Sequence, residues 1–324
     1  MALAILHSRE EWLARYGAGS RGSVVTVGNF DGVHLAHREI LRRLVERARR
    51  QNLLSAAITF DPHPLQVLRP AEAPPLLMTL SQRLAALEAE HLEAVLVLRF
   101  DKTLEHLSPE AFAREILADT LRARAILVGE NFRFGYKHAG DVAFLRAFGR
   151  ELGFEIECVP PVSWRGTTIS STAIRQAVRE GKLIRAGRML GRPYALDGGV
   201  QQGEGRGARL IFPTLNLRAE QELLPRTGVY ASEVLVESRL HRAVTNVGIR
   251  PTFGGGKVSV ESYLFDFNRD VTAGPMEVRF WRRLRDEMKF SGPEALRLQI
   301  QSDERRARQF FRLLDRLSLK KQSA

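Results

Sequence analysis

Cysteine occurs once in the 324 residues, as Cys158, so no internal disulfide can form and a thiol-based zinc site is excluded. Such scarcity fits a reducing compartment, and a cytoplasmic location is the expectation. No run of about 18 or more apolar residues occurs, which argues against a membrane-spanning helix. Internal repeats and low-complexity tracts are missing too. Lysine is scarce, with seven residues, and arginine supplies most of the net charge of +12. The opening MALAILHSREEWLARYG carries charges and a tryptophan in place of an extended apolar core, and reads as mature chain rather than a signal peptide. What remains is an ordinary apolar content of 44% and enough length for two domains, each with its own core.

The arginine clusters 42–50 (RRLVERARR) and 282–287 (RRLRDE) mix with acids at helical spacing. They are expected to be solvated helix faces rather than a nucleic-acid footprint. No aromatic residues interleave with them, as a nucleic-acid surface would require. A basic surface also suits anionic small substrates. Cys158, within FEIECV, is expected to be a buried small hydrophobe.

In the first half, short β-branched or apolar runs alternate with amphipathic segments. The runs are 24–28, 53–60, 94–98, 125–129 and 154–159, and the segments are 36–50, 80–91, 109–119 and 141–151. This alternation predicts a parallel sheet with helices on its faces, with ligands bound beyond the carboxyl ends of the strands. Near residue 190 the helical period fades and glycine becomes dense. Runs 228–236, 241–249, 258–267 and 276–281 predict antiparallel strands of a small barrel, and 293–317 predicts a terminal helix opening with proline. The boundary is expected at 187/188.

Three stretches carry chemistry. In VTVGNFDGVHLAHR (25–38), a strand ends at Gly28 and a helix follows, with His34 and His37 at its start. A helix N-terminus offers free N–H groups and partial positive charge, and both rings could aim N–H donors at one phosphate. The spacing equally fits His37 capping or packing the helix while His34 fills a turn. TTISSTAIRQAV (167–178) opens another helix with Ser170 or Ser171 as cap, Thr172 in the first turn and Arg175 one turn on, able to reach a phosphate. Read alone, it also fits an ordinary capped helix. GGVQQGEGRGARLIFPTLNL (198–217) joins a glycine-rich loop to Thr214 and Asn216, whose hydroxyl and amide oxygens suit Mg²⁺. It lacks the GK[ST] of a P-loop, and a flexible hairpin loop fits as well.

GNFDGVHLAH and ISSTAIR resemble the signature motifs of nucleotidyltransferases with an HxGH-type site and an SSTxIR motif. TFDPHP (59–64) and VGENFRFGYKHAGD (128–141) lie between them, in the order found in bacterial bifunctional riboflavin kinase/FAD synthetases. The second half is similar to the riboflavin kinase domain through FPTLN, GVY (228–230), NVGIRPTF (246–253), VESYLFDF (260–267) and RRLRDEMKF (282–290). The resemblance implies a Rossmann-like α/β domain over 1–187 that makes FAD from FMN and ATP. It implies a β-barrel kinase with a terminal helix over 188–324 that makes FMN from riboflavin and ATP.

It further implies roles for particular residues. His34 and His37 contact the phosphates at the reacting centre. Gly28, Phe30, Asp31, Ser171, Thr172 and Arg175 bind the nucleotide, and Phe60, Asn131 and Phe134 line the flavin site. Thr214 and Asn216 bind Mg²⁺–ATP, and Glu261 is the general base, though alternation in VSVESYLF fits an outward-facing strand residue too. The partners implied are riboflavin, FMN and ATP, with no nucleic acid and no membrane; oligomeric state is left open. The chain departs from the family pattern at Ala36 (usually Gly), Ala208 (Arg), Ile211 (Gly) and Leu215 (Ala). These departures keep open a chain with only one active domain. A basic nucleic-acid-binding protein and a flavin sensor without turnover are the readings from other classes.

Overall fold

The computed structural model describes residues 2–201, 214–250 and 257–322, apart from Ala18, Ser20 and Asp270. They form two compact units. One comprises 1–75 and 80–171, the other 76–79 and 172–324, so the two helices ahead of the barrel group with it.

The first unit runs β1 (Ala4–Leu6), α1 (Arg9–Tyr16), β2 (Ser23–Val27), α2 (Leu35–Gln51), β3 (Leu54–Asp61), α3 (Pro64–Leu68), α4 (Leu80–Glu88), β4 (Ala94–Arg99), α5 (Lys102–Glu105), α6 (Pro109–Ala111), β5 (Ala123–Gly129), α7 (Val142–Leu152) and β6 (Glu155–Val159), then a small hairpin of β7 (Ser163–Trp164) and β8 (Thr167–Thr168). The six strands β1-β4-β3-β2-β5-β6 form one sheet, parallel throughout. β2 is buried at all five positions, as a strand covered on both faces must be. α2 buries Leu41, Leu44, Val45 and Ala48, one stripe at helical spacing. Leu41 and Leu44 are fully buried, so truncating either to Ala costs roughly 2–5 kcal/mol. The helix stops at Asn52, whose left-handed backbone (φ 52) caps it.

Strand order decides where a ligand can sit. From β2 the chain adds β3 and β4 on one side, then returns to place β5 and β6 on the other. The carboxyl end of β2 is therefore the topological switch point, where departing loops splay apart and leave a crevice.

The second unit opens with α8 (Ser171–Arg179) and α9 (Leu183–Leu190). A closed antiparallel barrel follows, of β9 (Tyr194–Gln201), β10 (Leu215–Ala219), β11 (Gly228–Val236), β12 (Arg239–Arg250), β13 (Lys257–Leu264) and β14 (Pro275–Arg285). α10 (Pro293–Gln322) ends the unit. Leu196, Leu217, Val247, Val260, Val278 and Phe280 are among the buried barrel residues. The buried hydroxyls of Ser232, Thr245 and Ser262 satisfy one another at 2.6 and 2.8 Å. Phe311 and Ala307 of α10 pack on Val229, Ala231, Val244 and Phe265.

Several expectations are corrected. The helix predicted over 109–119 is α-helical only for α6. From Phe112 to Thr120 it is a π-helix, closed by Leu121 N–H to the Ile116 carbonyl. The Thr120 hydroxyl donates to the Glu115 carbonyl while accepting from Arg9, which holds the widened turn. The cluster 282–287 begins on β14 and is not a helix face, because its apolar neighbours follow the strand period. The cluster 42–50 does lie on a helix: Arg42 and Arg43 pair with Glu39, whose carboxyl falls to about 2 through their hydrogen bonds. Cys158 is half-buried rather than buried, because β6 is an edge strand. No helix of the described residues is long and apolar enough to cross a membrane.

Candidate active sites

At the switch point, β2 ends in Val27 and Gly28 N–H bonds the Ile58 carbonyl at 3.1 Å. The loop then turns through three left-handed residues, Phe30 (φ 49), Gly32 (φ 92) and Val33 (φ 36). For bulky residues this conformation costs of order 1–3 kcal/mol each. Burial of Phe30 and Val33, 2% and 1% exposed, offsets it. A Cβ on Gly28 would stand 3.2 Å from the Phe30 ring, so the folded-back loop leaves little room for a larger residue.

His34 is the N-cap of α2, and its Nδ1 accepts the His37 N–H at 3.3 Å. With Nδ1 accepting, the proton of neutral His34 resides on Nε2. The two imidazoles stack at 3.6 Å between centroids and 14° between planes, and Phe30 meets the His37 ring edge-on at 5.2 Å. Burial, and then the neighbouring His34, push the His37 pKa well below the usual histidine range. His37 is thus a neutral imidazole at pH 7, and its buried Nδ1 has no partner among the described residues. Ala36, in the first turn, is half-buried. The structure thus makes His34 the cap and places His37 one turn in.

The other predicted residues divide. Within the first unit, the Ser171 hydroxyl donates to the backbone carbonyl of the buried Asp31 at 2.7 Å. Thr172, exposed in the first turn of α8, and Arg175, buried on it, belong to the second unit. Phe60, half-buried near the end of β3, and exposed Asn131, in the loop after β5, stand on the strands flanking β2. Phe134 is mostly a core residue, packed against Phe112, Phe132 and Phe144; half-buried Phe132 is the more accessible ring. Sequence reasoning passed over Asn29 and His63, whose side chains meet at 3.1 Å. His63 caps α3 in a capping box with Gln66. The HP dipeptide of TFDPHP was the available signal.

On the barrel, strand register builds the second constellation. Asn216 of β10 lies opposite Glu261 of β13, and Glu261 opposite Asn246 of β12. The neighbours Leu215, Leu217, Val260, Ser262, Thr245 and Val247 are buried. The alternation therefore turns Asn216, Glu261 and Asn246 together to the outer face, half-buried. Thr214 immediately precedes β10. A Cβ on Gly248 would stand 2.4 Å from Glu287 Oε1 and 2.8 Å from Asn246 Nδ2, so a second carboxylate closes on this row. Glu287 was not singled out in the sequence, and no periodicity marked it. Ala208 and Ile211, most of the glycine-rich loop and the PTF of NVGIRPTF lie outside the described residues. The outward-facing placement of Glu261 is the one the alternation allowed.

A model of the FAD synthetase family matches residues 18–173, and one of the riboflavin kinase family matches 190–311. The chain is 37% identical over 297 residues to the bifunctional riboflavin kinase/FMN adenylyltransferase of Escherichia coli (strain K12), covering 91% of this chain and 95% of that one. The protein of that name from Haemophilus influenzae is 35% identical over 292 residues, covering 90% and 95%. Among solved structures, one described as a macrolide-efflux protein from Streptococcus pneumoniae superposes with a TM-score of 0.83 at 29% identity, covering 95% of this chain and 99% of that one. The chain belongs to the bifunctional riboflavin kinase/FMN adenylyltransferase family.

Proposed function

We propose that the chain phosphorylates riboflavin to FMN and adenylylates FMN to FAD, spending one ATP in each step, with the boundary between the two activities near residue 187. The observation that carries the reading is the stacked imidazole pair at the N-terminus of α2, at the switch point of a parallel sheet. That site suits a polyphosphate: a helix N-terminus offers N–H groups and partial positive charge, and two imidazoles stand at it. In adenylyl transfer, a phosphate oxygen of FMN attacks the α-phosphorus of ATP. The bond to the bridging oxygen breaks and pyrophosphate leaves. The attacking oxygen is already anionic, so no base is needed, and neutral His37 with His34 serves by donating to the oxygens that gain charge. Ser171, Thr172 and Arg175 hold the triphosphate.

The barrel reaction differs in its nucleophile. The ribityl 5′-hydroxyl of riboflavin must lose its proton as its oxygen attacks the γ-phosphorus and ADP leaves. Glu261 takes that proton, and its cross-strand neighbours Asn216 and Asn246 orient the carboxylate. Asn216 lies across from that carboxylate, and its amide oxygen and the Thr214 hydroxyl two residues earlier are oxygen donors of the kind Mg²⁺ takes. Bound there with ATP, the ion would neutralise phosphate charge. The reading requires riboflavin, FMN and ATP alone, without nucleic acid or membrane.

The test is incubation with riboflavin, Mg²⁺ and ATP, followed by chromatography of the flavins. FMN and FAD both form on this reading. FMN alone, or FAD only from supplied FMN, leaves one active domain. No product with salt-sensitive RNA binding favours the nucleic-acid class, and flavin binding without product favours a sensor.

A further inference from the structure

Arg83 of α4 is 1% exposed, yet no carboxylate among the described residues lies within salt-bridge reach of it. Its Nη1 donates to Thr59 Oγ1 at 3.0 Å and to the Phe60 carbonyl at 2.8 Å, and its Nε has no partner among the described residues. Burial works against its charge, while Asp31 and Asp61 favour it from a greater distance. Thr59, itself fully buried, donates onward to the Asn29 carbonyl at 3.3 Å, and the Asn29 amide meets His63. One buried guanidinium thus ties the end of β3, which carries Phe60, to the loop leaving β2, which carries His34 and His37.

The desolvation of a fully buried charge weighs against a purely stabilising role. Replacing a buried charged group by an apolar side chain of similar size is often neutral or stabilising, because desolvation outweighs what its contacts return. What an arginine supplies here and an aliphatic residue cannot is a donor nitrogen, Nη1, that binds two oxygens of one strand end at once. We propose that Arg83 is a positioning residue for adenylyl transfer: it locks the carboxyl end of β3 against the β2–α2 loop, so that the flavin-lining and phosphate-binding parts of the site keep a fixed spacing. The proposal rests on the adenylyltransferase reading of the first unit.

The experiment uses the full-length chain with Arg83→Met, which keeps the volume, Arg83→Lys, which keeps a donor, and Thr59→Val, which removes the relay hydroxyl. FAD formation from FMN, riboflavin phosphorylation and the imidazole N–H resonances of His34 and His63 are measured on each. Arg83→Met is expected to lower kcat/KM for FMN by about 10- to 10²-fold, the scale of a misplacement near 1 Å. Phosphorylation stays within about twofold, since the barrel does not contain this network. Arg83→Lys recovers most of the loss. Thr59→Val gives a partial loss that does not add to that of Arg83→Met. The imidazole resonances move in Arg83→Met and Thr59→Val. Wild-type FAD formation with unmoved resonances in Arg83→Met overturns the proposal. So does Arg83→Lys being as impaired as Arg83→Met with both activities and the melting temperature lowered, which marks an ordinary core residue. A wild-type chain that makes no FAD refutes the adenylyltransferase reading instead, and the resonances then decide the role of Arg83 alone.

Discussion

The two candidate sites are built by different means. The first is a loop and a helix start: His34 caps α2, His37 lies one turn in, and both belong to a single contiguous stretch. The second is a row across three strands, Asn216, Glu261 and Asn246, brought together by register alone. The chemistry differs in parallel. A phosphate nucleophile asks only for positioned donors, which a helix N-terminus supplies at once. An alcohol asks for a carboxylate held at a set spacing from phosphate ligands, which a rigid barrel surface supplies.

The sharpest way to break this comparison is to remove the proposed base. Glu261→Gln keeps shape and strand pairing, and riboflavin phosphorylation is expected to fall by about 10³-fold while FAD formation from supplied FMN is unchanged. Phosphorylation at the wild-type rate would assign the proton to another group, and Glu287, whose carboxylate lies by Gly248 and Asn246, is the next to test. Next in size, His37→Ala is expected to lower adenylyl transfer by about 10²-fold, the cost of one transition-state donor, with phosphorylation intact. FAD formation at an unaltered rate would take His37 out of the chemistry.

The smallest effect is on stability against pH. The folded pKa of His37 lies below its unfolded value of about 6.5, so the unfolded chain binds the extra proton first. The contribution of neutral His37 is therefore complete above pH 6.5 and is lost as pH falls below it toward the folded value. Thermal melts of the substrate-free protein between pH 7.5 and 5 should show a shallower acid-side decline in His37→Gln than in the wild type. Equal slopes would mean that His37 titrates normally in the folded chain.

Much of the first site was legible because it is local. Gly28, His34 and His37 fall within one strand–turn–helix segment, and the order of apolar runs already implied a parallel sheet. Phe134 was less legible for a related reason: a motif position names a residue, but only packing shows that its ring is buried among Phe112, Phe132 and Phe144. The π-helix escaped notice because its apolar pattern matches an α-helix, and the widened turn depends on Arg9, far away in the chain. Arg83 gave no signal at all, since SQRL reads as a solvated helix segment until α4 is docked.

By itself the amino-acid order determined the period of each element, the capped helix starts, the change from α/β to barrel near residue 190 and the exclusion of disulfide and thiol–zinc chemistry. Those follow from interactions between residues a few positions apart, which act the same in any fold. The tertiary structure alone decided that two imidazoles stack, that an arginine is buried beneath the histidine loop and that Glu261 stands between two asparagines. Each of these depends on strand register and on which surface loses its water, and both are settled by pairings between segments distant in the chain.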